Sequence, residues 1–202
     1  ETYAANLLGK EAALFAPSGT QSNLLGLLAH CQRGDEYIVG ANAHTFRYEG
    51  GGAAVLGSIQ PHSIAMDQQG CLSLEDIRGA IKPDDIHFPC SKVVCLENTH
   101  AGAPLPVDYA LQVRQLCDQF GLALHLDGAR LFNAAVAQNV SPRDIAEHFD
   151  SVSICLSKGL GAPVGSLLLG TKELIKVARR WRKVLGGGMR QGGIIAAGGL
   201  HA

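Results

Sequence analysis

Short apolar runs alternate with longer amphipathic segments through the second half of the chain. Each run is the length of a strand that is buried on both faces, and each intervening segment carries apolar residues at helical spacing. Strands are predicted at Lys92–Leu96, Leu122–Leu126, Val152–Leu156 and Ser166–Leu169. Helices are predicted at Val107–Phe120, Ala129–Ala137, Pro142–Phe149 and Thr171–Leu185. This alternation is typical of a largely parallel sheet with helices on both faces.

The first half of the chain is less regular but fits the same architecture. Helices are predicted at Glu1–Lys10, Leu24–Ala29 and Ser73–Ile81, and strands at Tyr37–Val39, Ala53–Leu56 and Ser63–Met66. The polar segment Ser18–Asn23 predicts a loop that leads into the second of these helices, because hydroxyl and amide side chains favour helix starts. We therefore predict an α/β fold, a three-layer α/β/α sandwich around a mostly parallel central sheet.

Composition narrows the class of protein. A chain of 202 residues with 47% hydrophobic content and a formal charge of −1 fits one globular core, and it favours neither nucleic acid nor an anionic membrane as partner. The six cysteines form no Cys-x-x-Cys pair, which favours a reducing, cytoplasmic location. We expect no membrane span and no signal peptide. Both ends of the chain read as interrupted helices, so we expect the chain to be part of a longer one.

Two charged residues follow the ends of predicted strands. Asp127 ends the run that begins at Leu122, and Lys158 follows the next run within a segment of small residues. A lysine amine can form a Schiff base with the aldehyde of pyridoxal 5′-phosphate, and a carboxylate can pair with the protonated ring nitrogen. The alternatives are a surface lysine in a glycine loop and an aspartate that caps the helix after it. We predict the cofactor site because the two residues occur together.

Other polar residues are weaker candidates. Ser18, Gly19 and Thr20 precede a helix and can offer amides and a hydroxyl to a phosphate, and Ser157 can add a further hydroxyl. His44 and His100 follow strand-like runs, where each could stack on a ring or move a proton, or could be structural. His125 lies two residues before Asp127 on one strand face. We nevertheless expect no metal site, because no further ligands occur at suitable spacing.

These pieces, in this order, resemble the low-specificity L-threonine aldolases, which are fold-type I pyridoxal phosphate enzymes of the β-eliminating lyase and threonine aldolase superfamily. The resemblance covers essentially the whole chain. The matching segments are Pro17–Asn23, Glu97–His100, His125–Asn133, Ser157–Ser166 and Gly186–Gln191. It implies that residues 1–190 form the pyridoxal phosphate-binding large domain and that residues 191–202 begin a helix toward a small C-terminal domain that is absent here.

The resemblance also implies a role for each candidate residue. Lys158 would bind the cofactor aldehyde and Asp127 the pyridine nitrogen, while His44 would stack on the ring. Ser18, Gly19, Thr20 and Ser157 would hold the phosphate. Arg130 would approach the cofactor hydroxyl or the substrate carboxylate, and His100 would lie near the substrate hydroxyl. Lys183 and Arg190 lie in the part that, in the family, reaches the phosphate site of the neighbouring subunit, which implies a homodimer or homotetramer.

The expected reaction is cleavage of L-threonine or L-allo-threonine, a small amino acid substrate, into glycine and acetaldehyde. The base that removes the β-hydroxyl proton would be His44, His100 or an ordered water, and the sequence does not choose among them. Three alternatives stay open. The chain could belong to a fold-type I enzyme with other bond selectivity, such as a β-eliminating lyase or serine hydroxymethyltransferase. It could also be a non-catalytic module that binds the cofactor, or, less in keeping with the motifs, a nicotinamide-binding domain.

Overall fold

The structure, a computed structural model, describes residues 1–202 as seven strands and ten helices. The strands are β1 Ala12–Ala16, β2 Asp35–Gly40, β3 Gln60–Ile64, β4 Cys90–Glu97, β5 Ala123–Asp127, β6 Ser151–Cys155 and β7 Ser166–Gly170. The helices are α1 Thr2–Leu8, α2 Gly19–His30, α3 His44–Arg47, α4 Gly52–Gly57, α5 Leu74–Ala80, α6 Val107–Phe120, α7 Leu131–Gln138, α8 Pro142–Ala146, α9 Lys172–Val184 and α10 Gly193–His201. None of the helices has the length and apolar character needed to cross a bilayer.

The strands form one sheet in the order β1-β7-β6-β5-β4-β2-β3. Pairs among β3, β2, β4, β5 and β6 are parallel, whereas β7 is antiparallel to both of its neighbours. The carboxyl ends of β2, β4, β5 and β6 therefore meet at one edge of the sheet, where ligands of such folds bind. The predicted, mostly parallel α/β sheet is confirmed.

Alternate residues of the central strands enter opposite hydrophobic cores, which makes the fold three-layered. In β4, Val94 and Leu96 pack with the core beneath α5, α6 and α7, while Val93 and Cys95 pack with the core beneath α2 and α4. All four side chains are no more than 2% exposed. Because both sheet faces are covered, these strands read as continuous apolar runs instead of alternating ones.

The sequence prediction fails where the apolar signal is short. Ala53–Leu56 was expected as a strand but forms helix α4, in which Val55 and Leu56 are exposed. The apolar run therefore marks no buried strand there. The strand expected at Ser63–Met66 lies earlier, at β3, the edge strand that tolerates Pro61 because its free side needs no N–H donor. Strand β1 and helix α3 were not predicted, and the loop predicted at Ser18–Asn23 is wrong from Gly19 onward, where α2 already begins.

The turn before β7 requires a glycine. Gly165 has a φ of 106°, and a Cβ atom there would lie 2.4 Å from Cε2 of Phe15. We expect Gly165→Ala to lower the free energy of unfolding by roughly 2–4 kcal/mol, because strain and overpacking add. Gly79→Ala is the matched control, since nothing lies within 4 Å of a Cβ atom at that helical position. It should be neutral or raise stability by up to about 1 kcal/mol in urea unfolding, and equal effects of the two substitutions would contradict the prediction.

Candidate functional site

A cleft of about 210 Å³ opens at the carboxyl edge of the sheet. It lies where β5 and β6 end and where α2 begins. Seven of the candidate residues line it: Ser18, Gly19, Thr20, His44, Asp127, Ser157 and Lys158. The sheet topology thus brings together residues from four separate parts of the sequence, and it does so as the strand-end positions predicted.

One wall of the cleft is the amino terminus of α2. The Ser18 side chain caps this helix by accepting a hydrogen bond from Gln21 N at 3.1 Å, which leaves the N–H groups of Gly19 and Thr20 without intrahelical partners. A side chain at Gly19 would crowd Cys155, whose Sγ would be 2.7 Å from the added Cβ. Free N–H groups at the positive end of a helix dipole suit a phosphate group.

Asp127 forms the floor of the cleft and is only 3% exposed. Burial raises the pKa of its carboxyl group, as does the nearby Glu97 carboxylate, while His44 and Lys158 oppose the shift. Its Oδ1 atom accepts a hydrogen bond from Ala129 N at 3.2 Å. The alternative interpretation of Asp127 from the sequence, as a helix cap, is therefore correct in part. Helix α7 begins only at Leu131. A buried carboxylate with so few partners fits a cationic group placed in the cleft.

Lys158 lies on the loop between β6 and β7, at the open side of the cleft. The side chain is exposed and forms no ion pair. The next residue, Gly159, packs so closely against Asn133 that an added Cβ would lie 2.0 Å from its Oδ1 atom. The loop is therefore held against α7, and the amine of Lys158 has no partner on the protein.

Glu97, at the end of β4, joins the two candidate histidines. Its Oε2 atom accepts a hydrogen bond from His44 N at 2.5 Å, and its Oε1 atom lies 3.1 Å from Nδ1 of His100. His44 begins α3 and its side chain is 41% exposed, facing the cleft. His100 does not line the cleft. Of the two histidines, only His44 therefore shares the cleft with Asp127 and Lys158.

Glu49 and Asn23 line the same cleft and were missed by the sequence analysis. Oε1 of Glu49 accepts from Nδ2 of Asn23 at 2.8 Å and lies 3.0 Å from Nδ1 of His44. Burial raises the pKa of Glu49 to about 7, with the Asp127 charge adding to the shift. Glu49 stands between polar and glycine residues in the sequence, so no pattern marks it.

The oxygen and nitrogen donors of His44, Glu49 and Asp127 lie within 4.8 Å of one another, a spacing that could accept a metal ion. The prediction of no metal site rested on His125 as the partner of Asp127, whereas this group contains His44 and Glu49 instead. Nδ1 of His44 and Oε1 of Glu49 already contact each other at 3.0 Å, so a metal bound by these two atoms would have to displace the proton between them.

Arg130, Lys183 and Arg190 do not line the cleft. Arg130 is the exposed N-cap residue of α7, and Arg190 is exposed in the turn before α10. Lys183 lies near the end of α9, beside other basic side chains of that helix. Within one copy of the chain, the structure gives these three residues no contact with the candidate site.

The pKa shifts of three buried titratable groups predict how the free energy of unfolding changes with pH. Burial lowers the pKa of His30 to about 4 and that of His125 to about 3, whereas it raises that of Glu49 to about 7. The histidines stabilise the fold above pH of about 6.5, and this contribution is lost as pH falls because only the unfolded chain then takes up protons. The contribution of Glu49 to stability has the opposite pH dependence: it is present below pH of about 4.5 and is lost as pH rises toward 7.

We therefore expect Glu49→Gln to steepen the loss of stability on acidification from about pH 7 to 5, by about 2–3 kcal/mol in urea unfolding. The exposed Glu173→Gln serves as control, because it should leave the slope unchanged. A shallower slope in Glu49→Gln would contradict the assignment of sign.

The family model described as β-eliminating lyase matches residues 1–202. The chain belongs to the β-eliminating lyase family. Members of this family, the threonine aldolases among them, use pyridoxal 5′-phosphate.

Among relatives in the β-eliminating lyase family, the low-specificity L-threonine aldolase of Escherichia coli K12 is 56% identical over 202 residues, which is all of this chain and 61% of that protein. Low-specificity L-threonine aldolase 1 of Arabidopsis thaliana is 45% identical over 208 residues, all of this chain and 58% of that protein. The threonine aldolase of Leishmania major has a similar structure, with a TM-score of 0.87 at 25% identity over 96% of this chain and 58% of that one. The chain thus spans about three fifths of the length of these relatives.

Proposed function

We propose that the chain is the pyridoxal 5′-phosphate-binding part of an enzyme that cleaves L-threonine and L-allo-threonine to glycine and acetaldehyde. The observation that carries the proposal is one small cleft lined by a buried carboxylate, Asp127, a free amine, Lys158, and the amino terminus of α2. The three groups match the ring nitrogen, the aldehyde and the phosphate of the cofactor. The similarity to threonine aldolases supports this choice of reaction.

Different residues of the cleft would bind and orient different groups of the cofactor. When bound, the cofactor draws the electrons of the breaking Cα–Cβ bond into its ring. Lys158 would hold the cofactor aldehyde, and Asp127 would keep a proton on the ring nitrogen. Ser18, Gly19, Thr20 and Ser157 would bind the phosphate through hydroxyl and N–H groups. His44 would stack on the ring.

Of the three candidate bases, His44 has the best support. It lines the cleft, and Glu49 engages its Nδ1 atom, so its Nε2 atom is left to accept the β-hydroxyl proton, directly or through a water. His100 lies outside the cleft and contacts Glu97 instead. We therefore assign His100 an orienting part near the substrate hydroxyl.

The remaining candidates act in the assembled enzyme. We assign Arg130 to the cofactor hydroxyl or the substrate carboxylate, and Lys183 and Arg190 to the phosphate site of a neighbouring subunit in a homodimer or homotetramer. Residues 1–190 would then be the cofactor-binding domain, and residues 191–202 the beginning of a helix toward the rest of the protein. We place the enzyme in the cytoplasm, in keeping with six cysteines of which none forms a disulfide.

The test is to incubate the full-length protein and cofactor with L-threonine or L-allo-threonine and to measure acetaldehyde with a coupled alcohol dehydrogenase. We expect acetaldehyde and glycine in equal amounts. Pyruvate and ammonia from serine without acetaldehyde would instead indicate a β-eliminating activity, and dependence on a tetrahydrofolate would indicate a hydroxymethyltransferase. Cofactor absorbance without any product would support a non-catalytic module, and tight dinucleotide binding without that absorbance would overturn the cofactor assignment.

A further inference from the structure

A line of hydrogen-bonded polar side chains lies buried between α2 and the sheet and ends in the cleft. Nε2 of His30 lies 2.7 Å from Oγ of Ser151, which lies 2.7 Å from Nδ1 of His125. Nε2 of His125 lies 3.3 Å from Oδ1 of Asn23, whose Nδ2 donates to Glu49. From His30 to Glu49, the line joins the far end of α2 to the candidate site.

The direction of each hydrogen bond in this line, from donor to acceptor, follows from the contact between Asn23 and Glu49. Both contacts to Glu49 fall on the same oxygen, Oε1, so Asn23 and His44 both donate to it when Glu49 is ionised or carries its proton on Oε2. The amide of Asn23 then presents its oxygen to His125, and His125 must carry its proton on Nε2. Nδ1 of His125 is therefore an acceptor, and the Ser151 hydroxyl donates to it.

The fold makes room for this arrangement along one face of α2. Asn23, Gly26 and His30 have the spacing of residues that share a helix face. A Cβ atom at Gly26 would lie 2.7 Å from Cε1 of His125, so the glycine admits the imidazole ring between helix and sheet. His125 is 0% exposed and Asn23 2%. Neither ring nor amide can turn without leaving a buried group unpaired, which is costly.

We propose that Asn23 and His125 are positioning residues that keep the proton of neutral His44 on Nδ1 and leave its Nε2 atom unprotonated toward the cleft. His125 orients the amide of Asn23, Asn23 holds Oε1 of Glu49 in place, and Glu49 accepts the Nδ1 proton of His44. The tautomer itself is independent of the reaction. Its use by a base rests on the proposed function, in which Nε2 of His44 accepts the β-hydroxyl proton.

The charged and titratable groups around His44 come from several elements. Glu49 contacts its ring, Glu97 from β4 contacts its backbone N–H, and Asp127 from β5 and Lys158 from the β6–β7 loop share the cleft with it. His100 lies on the other side of Glu97. Glu49 is the only one of these groups that is hydrogen-bonded to the His44 ring, so it is the group that selects the tautomer.

The test is two-bond ¹H–¹⁵N NMR of the full-length protein labelled in histidine, recorded at a pH where His44 is neutral. We expect His44 to carry its proton on Nδ1 and His125 on Nε2 in the natural protein. In Asn23→Leu, His44 should shift to a mixture in which the Nε2 form, favoured in free imidazole side chains, predominates. The threonine kcat should fall by about tenfold to a hundredfold with little change in KM, because the base loses its free nitrogen.

The matched control is Ser22→Ala, which removes a buried hydrogen bond between the neighbouring helix position and Ser153 of β6, at 2.7 Å, without touching the line. It should leave the His44 tautomer unchanged. His125→Leu should act like Asn23→Leu, and His125→Gln, which keeps a donor toward Asn23, should have a smaller effect. These two variants carry the test if Asn23→Leu does not fold.

An unchanged His44 tautomer in Asn23→Leu, or in both His125 variants, would overturn the proposal. So would Nδ1 protonation of His125 in the natural protein. If the tautomer shifts as expected but threonine is not cleaved by any variant or by the natural protein, the positioning role stands and the proposed function fails.

Discussion

Lys158→Ala is expected to lower threonine cleavage by at least about a thousandfold, or about 4 kcal/mol in transition-state free energy. The reason is that no other amine lines the cleft to bind the cofactor aldehyde. The absorbance band of the Schiff base between Lys158 and the cofactor should disappear at the same time and leave the band of the free cofactor aldehyde, while cofactor phosphate binding at α2 persists. Acetaldehyde formation and absorbance spectra of the full-length protein measure both effects.

The control for this prediction is Lys176→Ala, an exposed lysine of α9 outside the cleft, which should retain both activity and absorbance. Borohydride reduction followed by peptide mapping gives an independent measurement. The label should lie on Lys158, and a label on any other lysine would contradict the assignment even if Lys158→Ala is inactive for another reason.

The second large effect is expected for Asp127→Asn. The amide cannot hold a proton on the ring nitrogen as a carboxylate does, so we expect kcat/KM to fall by roughly a hundredfold to a thousandfold. The same change should stabilise the cofactor-free protein near pH 8. Burial raises the pKa of Asp127, so ionisation of this group disfavours the folded state as pH rises above its ordinary value of about 4.

Measurements on one variant therefore give two results of opposite sign: lower activity and, without cofactor, higher stability. The stability difference should shrink as pH falls toward about 4, where both states bind the proton. Asp150→Asn is a useful comparison, because this carboxylate is partly exposed and paired with Arg114 at 2.6 Å, away from the cleft. A cofactor-free Asp127→Asn protein less stable than the natural one near pH 8 would contradict the account of burial.

The sequence predicts the parts of the fold in which buried residues form a continuous apolar run or recur at helical spacing. Strands β4 to β7 and helices α6 and α9 follow from apolar runs and helical spacing, and α6 has the predicted bounds of Val107 and Phe120. Helix α4 was mistaken for a strand because a short apolar segment has no period of its own. Its neighbours Gly50 and Gly51, both with positive φ, turn the chain before it.

The candidate site likewise contains some residues that the sequence predicts and others that it does not. The position of Asp127 and Lys158 in the cleft was predictable because Asp127 ends one buried strand and Lys158 follows another, and strand ends meet at a known edge of such sheets. Glu49 was not, because its partner Asn23 is 26 residues away and nothing local requires the pair. The hydrogen-bonded line through His125 depends on contacts among α2, β5 and β6, and it follows only from the packed structure.

The antiparallel pairing of β7 with β6 has a consequence for how the site withstands heat. Leu156 N donates to Gly165 O, so the loop that carries Lys158 is tied at its base to two hydrogen-bonded strands. Asp127 lies on the adjoining strand, in register with Ser153 of β6. The spacing of amine and carboxylate is thus set within three neighbouring strands, and local opening on warming of helices outside the cleft leaves that spacing unchanged.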